Sequence, residues 1–338
     1  MTTRGNETAR LPGERALIHH IRQRLPAPPS ALLVGPGDDA AVFEPERGAF
    51  QVITTDALVE GIHFDRRFSS PADIGYRAIA VNVSDVAAMG ARPEYALLSF
   101  VLPEGWTMGD LDGLLDGVLE AASEYRVAIA GGNISRSPGP LVVDVTATGS
   151  VRPRKLLRRD GGKPGDALYV TGTIAAAAAG LGWLRTGSPS DSPSDLGPCV
   201  RRYLRPQARV RMGLLLGRNK AASACMDLSD GLADAVRQIA EASGTGALID
   251  AAALPIESAA STWFTEQGVD PVEAALAGGD DYELLFAVPR RFRGRLRAVQ
   301  SAARGLPVTR IGELMADRAI CLTRDGAEVE LPKGYSHF

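Results

Sequence analysis

Residues 71–93 read PADIGYRAIAVNVSDVAAMGARP and carry the pattern of an amphipathic helix. The apolar residues recur on one helix face, at Ile74, Ala78 and Val81. Asp85 lies four residues after the last of them, on the same apolar face. Because an unpaired buried charge is costly, we expect Asp85 to contact a cation, a set of hydrogen-bond donors or a metal ion. A salt bridge to an arginine is an equally good interpretation of this residue alone.

Further helices and strands on both sides of this helix predict a first α/β half. In chain order they are a helix over 14–25, a strand over 31–34, a strand over 50–55 that ends at Asp56, the helix over 71–89, a helix over 111–122, a strand over 127–130 that leads into Gly131-Gly-Asn133, and a strand over 141–148. The last strand alternates apolar and polar residues, so one of its faces is polar.

A basic, glycine-rich segment at residues 152–166, RPRKLLRRDGGKPGD, separates this half from a second one. We place a domain boundary there and predict an N-terminal domain over 13–151 and a C-terminal domain over 152–338. The predicted fold class is α/β, of the α+β type, with two domains. Residues 186–198 are rich in Ser, Pro and Asp, which favours an exposed loop.

Acidic residues beside glycine, serine or threonine occur at five places that we predict to be ends of strands or helices. They are Asp38 with Asp39, Asp56, Asp85, Asp227 with Asp230, and Asp280 with Asp281. One or two carboxylates per place are typical of Mg²⁺ bound together with phosphates. We therefore predict a nucleotide site with several magnesium ions. The alternatives are local ones: an N-cap at Asp230, turn residues at Asp38 and Asp39, and a strand end at Asp56.

The string GPGDDA at residues 35–40 formally matches the glycine pattern of a dinucleotide-binding turn. Its two aspartates would place negative charge against an anion, so phosphate binding here requires divalent cations in between. A P-loop is absent, because Gly161-Gly-Lys163 is followed by Pro164 and lacks the upstream glycine. Ser229 has no histidine or lysine close in sequence, so a covalent nucleophile is weakly supported.

The composition is that of an ordinary globular protein, with 45% apolar and 23% charged residues. A formal net charge of −3 gives no sign of a nucleic-acid or membrane partner. No signal-peptide pattern and no apolar run of about 18 residues is present. Cys199, Cys225 and Cys321 are too widely spaced for paired zinc ligands or a disulfide framework. We expect a cytoplasmic protein whose partners are small molecules.

Six strings in unbroken chain order, together spanning nearly the whole sequence, resemble the thiamine-monophosphate kinase family. They are GPGDDAAVF (35–43), TTDALVEGIHF (54–64), YRAIAVNVSDVAAMGARP (76–93), MDLSDGL (226–232), GGDDYELLF (278–286) and the stretch from TRDGAEVE to GYSHF (323–338). SDVAAMGA is shared with the wider superfamily of aminoimidazole ribonucleotide synthetase. DLSDGL, GGDDYELLF and GYSHF are more particular to the kinases.

The resemblance implies that the γ-phosphoryl group of ATP is transferred to the phosphate of thiamine monophosphate, giving thiamine diphosphate. It implies direct in-line attack, with no phosphoenzyme and no catalytic side chain beyond positioning and metal electrostatics. Several Mg²⁺ ions would neutralise the repulsion between the two phosphate-bearing substrates. The resemblance also implies a homodimer in which the N-terminal sheet pairs with its twin into a barrel. ATP and magnesium would bind the N-terminal domain, and the C-terminal α/β domain would complete the nucleotide and substrate site.

Matching motif positions imply roles for individual residues. The implied magnesium ligands are Asp39, Thr54, Thr55, Asp56, Asp85, Asn133, Asp227 and Asp230. The implied ATP contacts are Gly132, Asn133, Arg159 and Ser229, and the implied thiamine-side residues are His63, Asp280 and Tyr335. An aromatic ring such as that of Tyr335 can stack on a cationic thiazolium. Other interpretations remain: a solvated linker for Arg158 and Arg159, a loop hydrogen bond for His63, and surface packing for Tyr335.

Two positions depart from the family pattern. Asn133 replaces an aspartate, so a neutral amide oxygen takes the place of an anionic metal ligand. Asp280 replaces a glutamate, which shortens the reach to substrate by one methylene. Selenophosphate synthetase and the hydrogenase-maturation carbamoyl dehydratase are disfavoured, because their N-terminal and C-terminal catalytic cysteines are absent. Aminoimidazole ribonucleotide synthetase and a non-catalytic nucleotide-binding regulator remain as alternatives.

Overall fold

The structure is a computed structural model that describes residues 11–187 and 195–332. The chain divides into two compact units, an N-terminal unit of Met1–Val86 with Pro93–Ser150 and a C-terminal unit of Ala87–Arg92 with Val151–Phe338. Both units combine helices with β-sheets. This confirms the predicted mixed fold class. In the described part of the chain, no helix is both long and apolar enough to cross a membrane.

The N-terminal unit is built on a four-stranded sheet with the strand order β3-β6-β4-β5. Its elements are α1 (Glu14–Arg24), β1 (Leu32–Val34), β2 (Val42–Phe43), β3 (Phe50–Val59), α2 (Pro71–Ala88), β4 (Arg92–Pro103), α3 (Met108–Tyr125), β5 (Ala128–Ser137) and β6 (Val142–Val151). Strands β4 and β5 are parallel, and β1 and β2 form a separate antiparallel pair.

Helices α2 and α3 approach each other closely because each has a glycine at the point of contact. A Cβ atom on Gly75 would lie 2.0 Å from the Leu114 carbonyl oxygen, and one on Gly117 would lie 1.8 Å from the Ala72 carbonyl oxygen. Helix α3 begins with a capping box, in which the Thr107 side chain accepts from the Asp110 amide and Asp110 accepts from the Thr107 amide. The glycines therefore set the distance between the helices, and the cap sets where α3 starts.

The C-terminal unit has a seven-stranded sheet with the order β13-β12-β9-β11-β7-β10-β8. Its strands are β7 (Ala167–Thr171), β8 (Ala224–Asp227), β9 (Gly246–Asp250), β10 (Leu284–Val288), β11 (Val308–Met315), β12 (Ile320–Arg324) and β13 (Ala327–Glu330). Its helices are α4 (Ala176–Arg185), α5 (Gly197–Leu204), α6 (Val210–Asn219), α7 (Leu232–Ser243), α8 (Ser258–Glu266), α9 (Pro271–Ala277) and α10 (Arg293–Ala302).

Apolar side chains cover both faces of this sheet. One core contains residues of α4, α5, α7, α8 and α9, and the other contains residues of α6 and α10. Every residue of β10 is buried, which fits a strand in the interior of a sheet that is covered on both sides. The pairings of β10 with β7 and with β8 are antiparallel, whereas β12 runs parallel to β9.

Three sequence predictions about these elements are wrong. β3 does not end at Asp56 but continues to Val59. The strand predicted over 127–130 does not end at Ala130 but continues to Ser137, so Gly132 and Asn133 lie inside β5. Strand β4 was missed. The exposed loop predicted over 186–198 extends too far at its C-terminal end, because α5 begins at Gly197. Residues 188–194 of this prediction lie outside the described part of the chain.

We expect Gly117→Ala to lower the free energy of unfolding by about 2 kcal/mol or more, because the added methyl group would overlap a backbone oxygen that cannot easily move. Gly294→Ala is the matched control, since Gly294 is also helical and a Cβ atom there has nothing within 4 Å. That variant should be neutral or slightly stabilised. Denaturant titration of both proteins measures the difference, and equal stabilities would contradict the role of Gly117.

Candidate active site

Strand β3 presents its predicted site residues on two opposite faces. Side chains alternate along a strand, and in β3 the even-numbered residues from Val52 to Leu58 are the more buried ones. Thr54 and Asp56 therefore share the inner face with Leu58. Thr55 lies on the outer, exposed face.

The inner face brings Thr54 to Asp85 of α2. The Thr54 hydroxyl donates a hydrogen bond of 2.6 Å to Asp85 Oδ2. Asp85 is half-buried between Ser84 and Val86, which are both buried. This contact supplies a hydrogen-bond donor of the kind expected for a carboxylate on an apolar helix face.

The outer face carries a separate polar group around Thr55. Its hydroxyl lies 3.1 Å from Asp144 Oδ1 and 3.2 Å from Thr146 Oγ1, both on β6. Because the hydroxyls of Thr54 and Thr55 point to opposite sides of the sheet, one metal ion cannot take both of them as ligands. The two threonines are therefore not equivalent candidates.

A cavity of about 940 Å³ borders the outer face of the same sheet, a size within the range of small-molecule sites. Its polar lining residues include Asp38, Asp39, Asn133, Asp144 and Thr146. The structure thus brings Asp39 and Asn133 to one cavity, together with Asp144, which sequence analysis did not single out. The alternation of polar and apolar residues along β6 was the signal that could have identified it.

Asn133 follows a point at which β5 approaches β4 closely. Gly132 pairs with Leu98, and a Cβ atom at Gly132 would lie 2.1 Å from the Leu98 carbonyl oxygen. Asn133 pairs with Ser99 and is exposed. The glycine therefore serves the packing of two strands, which explains why a Gly-Gly pair occurs within a strand instead of ending it.

His63 lies in the turn that follows β3. Its Nδ1 accepts a hydrogen bond of 3.0 Å from the Val59 amide, so the neutral ring carries its proton on Nε2. This is the loop hydrogen bond that sequence analysis kept as an alternative. The contact also fixes the direction of the ring, with Nε2 as the donor atom.

In the C-terminal unit, two predicted site loops are joined as an extension of the β8–β10 pairing. Asp227 is the last residue of β8 and pairs with Leu284, the first residue of β10. Beyond that pair, the Leu228 amide donates to the Glu283 carbonyl at 2.8 Å, and the Tyr282 amide donates to the Leu228 carbonyl at 2.9 Å. The loops are thus held in register by backbone hydrogen bonds.

The last of these backbone hydrogen bonds joins two predicted site residues directly. The Asp280 amide donates to the Ser229 carbonyl at 2.8 Å. Asp280 and Tyr282 have φ angles of 70° and 50°, in the left-handed region that non-glycine residues seldom adopt. Such strained conformations are concentrated at functional sites, where the surrounding structure maintains them.

Asp281 and Glu283, in the same segment, point into the interior. Asp281 accepts from the amides of Ala175 and Ala177, at 2.6 and 3.0 Å, where α4 begins. Burial raises the pKa of the Asp281 carboxyl to about 7, while these two amides act to lower it. Glu283 is fully buried and contacts two arginines. Sequence analysis missed Glu283, and it grouped Asp281 with Asp280 as one acidic pair while giving a site role to Asp280 alone.

Asp227 and Asp230 differ in surroundings. Asp227 is buried, with 2% of its surface exposed. Asp230 precedes α7, but the N-cap of that helix is Gly231 and no side chain caps it. The alternative interpretation of Asp230 as an N-cap is therefore wrong, and its proposed role as a metal ligand stays a prediction.

The structure separates Arg158 from Arg159. Arg158 forms an ion pair with Asp160, which lowers the pKa of that carboxyl through a side-chain hydrogen bond. Arg159 Nη1 donates instead to the neutral Gln238 Oε1 at 2.5 Å, and Gln238 in turn donates to Asp234. Within the described residues no carboxylate pairs with Arg159, and its hydrogen-bond partner there is a neutral amide. A guanidinium held by a neutral partner suits a phosphate.

The donor set fits magnesium. The candidate ligands offer carboxylate, hydroxyl and amide oxygens, which are the hard donors that Mg²⁺ prefers. In residues 11–187 and 195–332 no three His, Cys, Asp or Glu side chains come together in a group that could hold a metal ion. One or two protein oxygens per ion, completed by water and phosphate, is how Mg²⁺ usually binds. Tyr335 lies outside the described residues.

Comparison with known proteins matches both halves of the chain to one family. The model for the N-terminal domain of AIR synthase related proteins matches residues 37–151, and the model for their C-terminal domain matches residues 163–323. The thiamine-monophosphate kinase of Escherichia coli (strain K12) is 39% identical over 334 residues, which is 96% of this chain and 98% of that protein. The thiamine-monophosphate kinase of Bacillus subtilis (strain 168) is 37% identical over 326 residues, which is 95% of this chain and 98% of that protein.

Solved structures agree. The thiamine-monophosphate kinase from Stenotrophomonas maltophilia K279a superimposes with a TM-score of 0.80 at 35% identity, covering 93% of this chain and 96% of that one. AaThiL complexed with AMPPCP and TMP gives a TM-score of 0.76 at 34% identity, with 96% and 97% of the chains covered. Identity at this level over nearly the full length confirms the resemblance seen in the motifs, and the chain belongs to the thiamine-monophosphate kinase family of AIR synthase related proteins.

Proposed function

We propose that this chain catalyses the ATP-dependent phosphorylation of thiamine monophosphate to thiamine diphosphate. The observation that carries the proposal is the backbone hydrogen bond between Ser229 and Asp280. It joins a proposed ATP contact with a proposed thiamine-side contact, as an enzyme that brings two substrates together requires. The names of the relatives and the AMPPCP and TMP in the AaThiL structure support it.

The reaction needs no covalent intermediate with the protein. A phosphate oxygen of thiamine monophosphate attacks the γ-phosphorus of ATP, and the bond from that phosphorus to the β,γ-bridging oxygen breaks as ADP leaves. The protein's contribution is to hold and orient two anions. Arg159, Ser229, Gly132 and Asn133 are the proposed ATP contacts, and His63, Asp280 and Tyr335 are the proposed thiamine-side contacts. His63 would donate through Nε2, since its Nδ1 is already engaged by Val59.

Magnesium is the proposed cofactor. Its proposed ligands are Asp39, Thr54, Thr55, Asp56, Asp85, Asn133, Asp227 and Asp230, directly or through water. Bound Mg²⁺ would reduce the repulsion between the two phosphate groups. Thr54 and Asp85 already share a hydrogen bond and could serve one ion together, whereas Thr55 faces the other side of the sheet.

A homodimer is the proposed assembly, with the N-terminal sheet paired to its twin in a barrel. Large apolar side chains on this unit are exposed, including Ile53 at 73%, Phe50 at 52% and Leu97 at 41%. Ile53 and Leu97 line the cavity on the outer face of the sheet. Exposed apolar patches of this kind mark protein interfaces. The free cysteines Cys199, Cys225 and Cys321 accord with a proposed cytoplasmic location.

The direct test incubates purified protein with ATP, Mg²⁺ and thiamine monophosphate and measures thiamine diphosphate. We expect turnover that requires magnesium in excess of ATP, because Mg²⁺ bound to ATP alone leaves the acceptor phosphate uncompensated. Asp56→Asn, prepared identically, should lose about a hundredfold in kcat and controls for contaminating kinases. Binding of ATP without turnover would favour the regulator, and turnover only of the substrate of aminoimidazole ribonucleotide synthetase would favour the synthetase. Either result overturns the proposal.

We expect Asn133→Asp to lower the magnesium concentration for half-maximal activity, because a carboxylate binds Mg²⁺ more tightly than a neutral amide oxygen. Ser135→Asp is the matched control, since it adds the same charge on the exposed side of β5 but does not line the cavity. Titration with magnesium at saturating ATP measures both variants. An unchanged midpoint, together with weaker ATP binding, would show that the Asn133 NH₂ group donates to a phosphate instead.

We expect Ile53→Glu to convert a dimer to monomers, because a charge would have to be buried in the paired sheets. Val269→Glu is the control, since Val269 is an exposed apolar residue of the C-terminal unit, at 43%. Sedimentation velocity of the wild type and both variants decides the matter. A monomeric wild type, or a dimeric Ile53→Glu variant, would contradict the proposed assembly.

A further inference from the structure

A buried ion cluster surrounds Glu283, three residues after Asp280. Glu283 has 0% of its surface exposed. Its carboxylate accepts from Arg202 Nη1 at 2.5 Å, from Arg209 Nε at 2.6 Å and from Thr171 Oγ1 at 2.5 Å, and Arg209 Nη2 also contacts it. Arg209 thus binds the carboxylate with two groups of its planar guanidinium, a geometry that lysine cannot reproduce.

The cluster leaves Glu283 a single position. A Cβ atom on Gly172 would lie 2.2 Å from Glu283 Oε1, so the backbone after β7 forms one wall of the site. Thr171 Oγ1, which donates to Glu283, also accepts from the Leu284 amide at 2.9 Å. The side chain and the backbone around Glu283 are therefore held by the same neighbours.

Anchored and strained residues alternate through this segment. Asp281 is anchored by the amides at the start of α4, and Glu283 by the two arginines. Asp280 comes just before the first anchor and Tyr282 lies between the two, and both have positive φ angles. Non-glycine residues keep such conformations only where the surrounding structure imposes them. The Tyr282 hydroxyl in turn lies 3.4 Å from Asp280 Oδ1.

We propose that Arg202 and Arg209, acting through Glu283, are positioning residues for the thiamine side of the site. They hold the segment 278–283, called here the acidic turn, in the conformation that presents Asp280. Neither arginine needs to touch a substrate in this role. The identity of the substrate rests on the proposed function, whereas the positioning role of the two arginines rests on the contacts of Glu283.

The test compares Arg202→Lys and Arg209→Lys with the wild type in steady-state kinetics. Both variants keep the positive charge and lose the planar guanidinium. We expect the KM for thiamine monophosphate to rise about tenfold, while kcat changes less than threefold and the KM for ATP less than twofold. A purely structural role would lower the fraction of folded enzyme, which reduces apparent kcat and leaves the KM unchanged. That pattern would overturn the proposal.

Two sets of control variants sharpen the comparison. Arg324→Lys alters another arginine of the C-terminal unit, one paired with Asp270, and should leave both KM values unchanged. Thr171→Val removes one hydrogen bond to Glu283, whereas Thr171→Ser retains the hydroxyl. We expect the raised KM in the valine variant and recovery in the serine variant. These substitutions test the proposal without replacing the buried Glu283 itself.

Amide hydrogen exchange of the substrate-free protein gives a readout that does not depend on activity. We expect faster exchange of the Asp280 and Tyr282 amides in both lysine variants, and unchanged exchange in Arg324→Lys. If the wild type does not phosphorylate thiamine monophosphate but exchange accelerates as described, the proposed function fails and the positioning role stands. If the wild type is active but exchange and the KM values are unchanged, the positioning role fails and the function stands.

Discussion

The burial of the Glu283 carboxylate is the constraint on which the candidate site of the C-terminal unit depends. A charge with no exposed surface must be compensated locally, and here two arginines and a threonine hydroxyl provide the compensation. The partners come from β7, α5 and the start of α6, so three elements converge on one side chain. Moving any of them would expose or unpair a buried charge, which is why the segment before β10 has so little freedom.

Backbone pairing then carries that constraint to the site residues. The β8–β10 pairing continues past the ends of both strands, from the Asp227–Leu284 pair to the bond between Ser229 and Asp280. A loop joined in this way behaves like the end of a sheet rather than like a free connection. The side chain at Asp280 is therefore positioned by the same hydrogen bonds that hold the two strands, and the strained φ angles are maintained by the rest of the unit.

In the N-terminal unit, local patterns placed helix α2 well but made two strands too short. The period of Ile74, Ala78 and Val81 placed α2 within one residue of its observed end, and it also indicated that Asp85 is half-buried. β3 and β5 were predicted too short, because Asp56 and the Gly131-Gly132 pair are typical of loops. Both predictions reflect local propensity. In the structure, Asp56 lies on the inner face of a long strand, and Gly132 allows β4 to come so close that a Cβ atom on it would lie 2.1 Å from the Leu98 carbonyl oxygen. These are tertiary causes, which no local pattern contains.

Arg158 and Arg159 illustrate what a sequence cannot decide and a structure can. The two are adjacent and chemically identical, so spacing gives no reason to prefer either as a ligand for phosphate. Their neighbours differ: Arg158 is neutralised by Asp160, and Arg159 is oriented by the neutral Gln238. An amide directs the guanidinium without cancelling its charge, whereas a carboxylate does both. The choice between the two arginines therefore depends on Gln238, a residue of α7 about eighty positions away. It favours Arg159 because a phosphate is attracted by a positive charge that no carboxylate cancels, just as it is repelled by the negative charges of Asp38 and Asp39.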